Sequence, residues 1–222
     1  TAISANDTVL TLDIHASQQH IKTTNVIGYV PGRVVPDSFL VVCAHYDHLG
    51  MLGPHIFFPG ANDNASGVST LLEMASQVAR QPLRYSVVFI AFTGEEAGLL
   101  GSRFFVANPL VPLSSIRFVL NLDLLGFGDL GATVVNATVY PDLFDRLVKI
   151  NHEKQYLKEL KPRGKAANSD HYPFSEAGVP AFFLYTLGGP GHYHDVQDTA
   201  DTVTFSRFSA TFQLLMDFLK SF

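Results

Sequence analysis

The sequence predicts an α/β fold, a three-layer sandwich in which helices cover both faces of a mixed, largely parallel sheet. Apolar segments without polar alternation are typical of strands covered on both faces, and the chain has several of them. Segments with helical spacing lie between them, and this alternation favours parallel strands joined by helices. The 222 residues contain no internal repeat or linker, so we predict a single domain over residues 1–222.

The individual elements follow from the same patterns. The predicted strands are residues 25–30, 39–44, 85–92, 116–122 and 179–185. The predicted helices are residues 65–80, 97–106, 141–154 and about 205–222. In the first of these helices the apolar residues recur at three- and four-residue spacings, so they form one stripe that faces the sheet.

Composition and charge exclude several classes of function. The formal net charge is −5 and no run of Lys or Arg occurs, so we do not expect nucleic acid as a partner. No apolar stretch reaches the ~20 residues that a membrane span requires, and we predict no span in this chain. Cys43 is the only cysteine, so any bound metal must be held by His, Asp or Glu rather than by a thiolate cluster.

Side chains that can bind metals follow three of the predicted strands. His45 comes directly after one strand, Asp123 after another, and Glu95 and Glu96 soon after a third. In sheets of this kind, ligands bind outside the carboxyl ends of the strands. Two more polar clusters lie in predicted loops, at residues 60–67 and 193–199. Each residue alone has an ordinary explanation as a helix cap or a turn, but their coincidence at one edge indicates a site.

The residue types at this edge suit catalytic zinc. Oxygen and imidazole ligands without sulfur are typical of zinc sites that keep a position open for water. Two histidines and three carboxylates suffice for two ions if one carboxylate bridges them. Glu95 neighbours Glu96, and neighbours in a turn point in different directions. Glu96 can therefore bind metal while Glu95 moves protons during hydrolysis.

The ordered motifs resemble the co-catalytic zinc aminopeptidase family, which includes bacterial leucyl-type aminopeptidases and is related to glutamate carboxypeptidases and glutaminyl cyclases. The resemblance runs from about residue 25 to the C-terminus. It rests on His45-Tyr46-Asp47, residues 60–67, residues 94–102, Asn121-Leu122-Asp123, Ser169-Asp170-His171, and residues 194–199. It implies a zinc peptidase fold and removal of single residues from the N-termini of peptides.

The resemblance also implies two zinc ions, which Co or Mn could replace, and a role for each residue. Asp63 would bridge both ions. His45 and Asp123 would complete one site, and Glu96 and His194 the other. Glu95 would be the general base and then the general acid.

Two further roles are implied around these ligands. Asp47 would accept a hydrogen bond from the far ring nitrogen of His45 and so fix its tautomer. Some family members carry a Tyr where His171 stands, and that Tyr helps to stabilise the oxyanion. A neutral imidazole N–H could donate the same bond, or His171 could be a structural histidine near the pocket wall. Both interpretations of His171 stay open.

Two alternative functions remain. Glutaminyl cyclases of this family usually work with one zinc and a pocket built with Trp, whereas this chain has no Trp. A catalytically silent binding homologue would generally lack one or more ligands, yet all five ligands and Glu95 are present. We therefore favour a zinc aminopeptidase.

Four wider expectations accompany this interpretation. The resemblance implies that the partners are peptide substrates with a free N-terminus. The sequence does not determine the oligomeric state, and we expect a monomer. Family habit predicts a bacterial secreted or periplasmic protein, with lipoproteins included. Aromatic residues flank the motifs, namely Phe127, Phe174 and Tyr193, and they favour an apolar substrate pocket, although core packing explains most aromatic residues at such positions.

Overall fold

The computed structural model describes Asp13 and residues 20–222, so the remainder of the predicted domain lies outside the described residues. Its strands in chain order are β1 (Val26–Val30), β2 (Val35–His45), β3 (Gly50–Leu52), β4 (Ile56–Phe58), β5 (Tyr85–Phe92), β6 (Ile116–Leu122), β7 (Gly131–Val135), β8 (Leu160–Pro162) and β9 (Ala181–Leu187). Its α-helices are α1 (Ser66–Arg80), α2 (Leu100–Ala107), α3 (Pro141–Lys154), α4 (His171–Glu176) and α5 (Phe208–Lys220).

A mixed sheet forms the centre of the described part of the chain. Its seven strands lie in the order β1-β5-β2-β6-β9-β7-β8. The pairs β5–β2, β2–β6, β6–β9 and β7–β8 are parallel, and the pairs β1–β5 and β9–β7 are antiparallel. The strands β3 and β4 form a separate antiparallel hairpin. The predicted mixed, largely parallel sheet is confirmed.

Helices cover both faces of the sheet, and strand β2 shows why. Leu40, Val42 and Ala44 face a core that includes buried residues of α1, α3 and α5. Val41 and Cys43 face a second core, to which α2 and α4 contribute Phe105 and Phe174. Successive side chains of a strand point to opposite faces, so a strand buried on both sides needs apolar residues at every position. The predicted three layers are confirmed.

The predicted elements differ from the observed ones mainly where the apolar or helical pattern in the sequence is short. The bounds of β5, β6 and α3 agree with the prediction, while β2 begins four residues earlier than predicted, at Val35. The strands β3, β4, β7 and β8 were not predicted. Three of them have only three residues, and β8 ends in a proline. The six-residue helix α4 was also missed, because its Pro173 interrupts the helical pattern.

Among residues 20–222, none of the helices combines the length and the apolar character that crossing a bilayer requires.

An aromatic cluster anchors α5 to the sheet. The ring of Phe118 on β6 lies 5.1 Å from that of Phe182 on β9 and 5.4 Å from that of Phe218 on α5, measured between centroids. All three side chains are fully buried. Edge-to-face contacts of this kind contribute beyond the area that they bury.

We predict that Phe118→Ala lowers the free energy of unfolding by about 3–5 kcal/mol, because it leaves a cavity in a packed core. Urea denaturation followed by circular dichroism measures the change. Phe57→Ala is the matched control, since Phe57 lies exposed on the β3–β4 hairpin, and its effect should stay within about 0.5 kcal/mol. Equal losses for both variants would contradict the assignment of this core.

Candidate metal centre

Adjacent parallel strands bring His45 and Asp123 together. In the β2–β6 pair Cys43 lies opposite Asn121, so the residues two positions further along the two strands also face each other. His45 is the last residue of β2, and Asp123 directly follows β6. Both side chains are buried, and the Nε2 atom of His45 lies 3.4 Å from the Oδ2 atom of Asp123. The carboxyl edge of the sheet therefore supplies the first pair of predicted ligands.

Asp63 reaches the same place from the loop that precedes α1. The loop begins at Gly60, whose φ of 68° lies in the left-handed region, and a Cβ there would come within 2.5 Å of the Asp63 carbonyl oxygen. Asp198 accepts hydrogen bonds from the backbone N–H groups of Asn62 and Asp63, at 2.8 and 2.9 Å. The Asn64 side chain donates to the carbonyl of Leu122 at the end of β6. The peptide bond between Asp63 and Asn64 is cis.

The Asp63 carboxylate lies between two half-sites. Its Oδ1 atom is 3.3 Å from the Nε2 atom of His45, and its Oδ2 atom is 3.2 Å from the Nε2 atom of His194. On the second side, the Nε2 atom of His194 is also 3.3 Å from the Oε2 atom of Glu96. The structure thus brings together all five predicted ligands, with Asp63 shared as expected for a bridging residue.

The charges of this cluster fit cations. The buried oxygens Asp63 Oδ2 and Asp123 Oδ1 have no hydrogen-bond partner among the described residues. Burial raises the pKa of Asp123. Burial alone would lower the pKa of His45, but hydrogen bonds with Asp123 and Asp63 and the charges of Asp123 and Glu95 raise it to about 12. Both shifts show that the cluster stabilises added positive charge. Carboxylate oxygens and imidazoles are a donor set that zinc accepts, so the residues fit the implied metal.

Glu95 stands beside the first half-site. Its carboxylate lines the same cleft, and it forms with His45 and Asp123 a group whose ligating atoms lie within 4.8 Å of one another. Burial raises the pKa of Glu95 to about 8, while the charge of His45 opposes the shift. A carboxyl group that holds a proton this strongly suits proton transfer near neutral pH.

Asp47 has a different contact from the predicted one. The Nδ1 atom of His45 lies 3.1 Å from the backbone carbonyl oxygen of Asp47, whereas the carboxylate Oδ1 atom is 3.9 Å away. The carboxylate instead accepts the backbone N–H groups of Glu95 and Glu96, at 3.1 and 3.2 Å. The carbonyl can fix the imidazole tautomer as a carboxylate would. Asp47 therefore supports His45 through its main chain and both glutamates through its side chain.

His171 is fully buried, and it is not among the residues that line the cleft. Its ring packs against Phe183, which does line the cleft, with 5.5 Å between centroids. Burial lowers the pKa of His171 to about 4, so the ring is neutral at neutral pH. The neutral state agrees with both interpretations made from the sequence, and the oxyanion role stays a prediction.

His48 is a neighbour of the centre that the sequence did not single out as a ligand. Its Nδ1 atom lies 2.9 Å from the Oε1 atom of Glu96. Together with Asp63 and Glu96 it forms a second group whose ligating atoms lie within 4.8 Å of one another. Because Glu96 turns its other oxygen toward His194, His48 orients the carboxylate. The only signal in the sequence was its position one residue beyond Asp47.

The centre forms the floor of a cleft of about 270 Å³. The walls contain residues of several loops and strands, namely Leu124, Arg163, Asn168, Phe183, Tyr185 and Tyr193. The ring of Tyr193 stacks on that of His194, with 3.9 Å between centroids. Burial and the nearby carboxylates raise the pKa of Tyr193 to about 12, so its hydroxyl keeps its proton. Of the three aromatic residues expected in the substrate pocket, only Tyr193 lines this cleft, since Phe174 belongs to the core and Phe127 lines a neighbouring cavity.

The fold and the cluster define an α/β protein with a candidate two-metal centre at the carboxyl edge of its sheet. A model of peptidase family M28 matches residues 25–219, and the chain belongs to that family. The resemblance drawn from the ordered motifs is thereby confirmed.

Individual relatives agree with this membership. The chain is 32% identical over 202 residues to aminopeptidase YwaD of Bacillus subtilis. The alignment covers 82% of this chain and 41% of that protein. A zinc aminopeptidase from Bacillus subtilis, BSAP, superimposes with a TM-score of 0.74 and 28% identity, covering 89% of this chain and 49% of that one. A glutaminyl cyclase from an Acidobacteriales bacterium superimposes with a TM-score of 0.77 and 25% identity. The superposition covers 89% of this chain and 72% of that one. The chain spans about half the length of the curated relatives that it matches.

We predict that Asp198→Ala lowers metal binding although Asp198 is not a ligand. The variant removes the acceptor for two backbone N–H groups that hold Asp63 in place. Leaving such groups unpaired costs about 1–3 kcal/mol each when they are buried. Zinc content by mass spectrometry and the midpoint of thermal unfolding should both fall.

Asp195→Ala is the matched control for this variant. Asp195 lies in the same loop and is exposed. Within the described residues, its carboxylate accepts one hydrogen bond, from the backbone N–H of Gln197. Its replacement should leave zinc content unchanged. Full zinc content in Asp198→Ala would show that Asp63 does not need this support.

Proposed function

We propose that the protein is a zinc-dependent aminopeptidase that hydrolyses the first peptide bond of peptides with a free N-terminus. The observation that carries the proposal is the Asp63 carboxylate, which has one oxygen toward His45 and the other toward His194. A carboxylate shared in this way suits two ions held close together. Membership of peptidase family M28 and the similarity to aminopeptidases support the same class of substrate.

The ligand roles follow the two half-sites. His45 and Asp123 would hold one zinc ion, Glu96 and His194 the other, and Asp63 both. Ions bound there would supply Lewis acidity toward the scissile carbonyl and lower the pKa of water. The residues of the chain provide the geometry, because the ligands sit on strand ends and on loops that other side chains fix in place.

Glu95 carries the proton transfers. Its carboxylate would take a proton from the attacking water and later deliver a proton to the leaving amine, which cannot depart as an anion at neutral pH. Burial raises the pKa of Glu95, which helps this carboxyl group to hold the proton between the two transfers. The Asp47 carboxylate accepts a hydrogen bond from the backbone N–H of Glu95. The Glu95 side chain therefore extends from an anchored turn. The free α-amino group of a substrate would bind near an ion or an acidic side chain at the floor of the cleft.

Glutaminyl cyclisation is the second candidate, and structural similarity to a glutaminyl cyclase favours it. The Glu95 carboxyl could serve either reaction, since both move protons at an amine and a carbonyl. The absence of Trp from the sequence and the two half-sites around Asp63 favour the peptidase. A silent binding homologue is disfavoured because all five ligands and Glu95 are present. We also propose a secreted or periplasmic location and a monomeric state.

A panel of aminoacyl p-nitroanilides, assayed with zinc and with a chelator, tests the aminopeptidase proposal. We expect chelator-sensitive release of p-nitroaniline. A glutaminyl substrate followed by mass spectrometry separates the candidates, because hydrolysis releases glutamine whereas cyclisation releases ammonia and leaves a pyroglutamyl product. Ring closure without hydrolysis would overturn the proposal.

We predict that Glu95→Gln keeps its zinc and lowers kcat by a factor of about 10² to 10⁴, because the amide cannot accept the proton from water. Metal analysis and p-nitroanilide kinetics measure the two effects. Glu73→Gln is the matched control, since Glu73 lies exposed on α1 away from the cleft. Near-normal turnover in Glu95→Gln would remove Glu95 from its role.

We predict that His194→Ala lowers zinc stoichiometry from two ions to about one, because only the second half-site loses its imidazole. Titration with zinc followed by mass spectrometry under native conditions measures the stoichiometry. His192→Ala in the same loop serves as control and should retain two ions. An unchanged stoichiometry in His194→Ala would contradict the ligand assignment.

A further inference from the structure

One cation faces the acidic centre from the wall of the cleft. Arg163 lines the cavity together with the metal-binding side chains. Its Nη1 atom lies 3.4 Å from the hydroxyl oxygen of Tyr185, another residue of the wall. Among the described residues, no lysine and no other arginine lines this cleft. Arg163 is therefore the one permanently charged cation that they place there.

The backbone of Arg163 is anchored at the edge of the sheet. Arg163 directly follows β8, and its N–H group donates to the carbonyl of Val134 on β7 at 2.9 Å. The residue before it, Pro162, pairs with Val134 in the parallel β7–β8 ladder. A guanidinium that extends from an anchored backbone loses less freedom on binding than one on a mobile loop.

Among the described residues, the cations close to Arg163 in sequence form ion pairs with carboxylates, whereas Arg163 does not. Lys161 lies 3.7 Å from a carboxylate oxygen of Glu159, and Lys165 forms an ion pair with Glu176. Within residues 20–222, Arg163 has no carboxylate within ion-pair distance, and its side-chain partner is the hydroxyl group of Tyr185. Its guanidinium therefore keeps donors free for a carboxylate.

We infer that Arg163 determines substrate specificity by binding a carboxylate of the substrate. The inference rests on the proposed aminopeptidase function and names a substrate class for it. The planar guanidinium presents paired donors that match a carboxylate. Two divalent ions would balance the negative charges of four carboxylates, those of Asp63, Glu95, Glu96 and Asp123. The guanidinium of Arg163 would then give the cleft a net positive charge.

Two parts of a peptide could supply the carboxylate. One is the side chain of an N-terminal Asp or Glu, and the other is the C-terminal carboxylate of a dipeptide. The cleft of about 270 Å³ is at the small end of ligand sites, which suits a short substrate in both cases. Isosteric substrate pairs that differ only in this charge distinguish the two sources.

The experiment compares kcat/KM for Glu-p-nitroanilide with that for Gln-p-nitroanilide, and for Leu-Gly with that for Leu-Gly-amide. We expect the charged member of one pair to be favoured, and Arg163→Ala to reduce that ratio about tenfold, the effect of one charge-assisted hydrogen bond. The pair that responds identifies the source of the carboxylate. Lys161→Ala also removes one positive charge from this segment but lies outside the cleft, and it should leave both ratios unchanged.

Binding of Leu-Gly, Leu-Gly-amide, Glu-amide and Gln-amide to zinc-loaded Glu95→Gln, measured by calorimetry, separates this inference from the proposed function. A preference for the charged ligand that Arg163→Ala removes in this background supports the inference even if turnover is absent, in which case only the aminopeptidase proposal fails. The inference is overturned if neither charged ligand is preferred, or if Arg163→Ala weakens charged and neutral ligands equally.

Discussion

The position of the Asp63 carboxylate is the constraint on which the centre depends. Its two oxygens face imidazoles on opposite sides, so a displacement of this one group affects both half-sites. Buried carboxylates repel one another and lose hydration, and they are stable only when positive charge lies close by. The raised pKa of His45 shows the same need for positive charge, because the nearby carboxylates stabilise its protonated form. Divalent cations satisfy it more fully than a proton does, since each contributes two charges.

The sheet solves the problem of bringing distant residues to one place. His45 and Asp123 are far apart in sequence, yet parallel pairing of β2 with β6 puts them side by side at one edge. A one-residue shift in this pairing would turn every side chain of β2 to the opposite layer, and His45 would then point away from Asp123. The same strand thus takes part in core packing and positions a candidate ligand, and loops contribute most of the other candidate ligands.

Much of this arrangement could be predicted from the sequence, because strands buried on both faces have continuous apolar runs that end at the ligands. Short elements escaped prediction, since β7 begins with Gly131 and Ala132 and offers little apolar contrast. The contact of Asp47 was also out of reach, because its carbonyl and its carboxylate lie on the same residue and only coordinates distinguish them. Arg163 enters the cleft through tertiary placement alone, for which no local pattern exists.

The loop that contains His194 and Asp198 has a double connection to the centre. His194 faces Asp63 from one side, while Asp198 holds the backbone of the segment that presents Asp63. The loop also supplies Tyr193 to the wall of the cleft. Opening of this single loop would therefore dismantle the second half-site, the shared carboxylate and the substrate wall in one event. Binding at the second half-site and an intact wall are consequently interdependent properties of one segment.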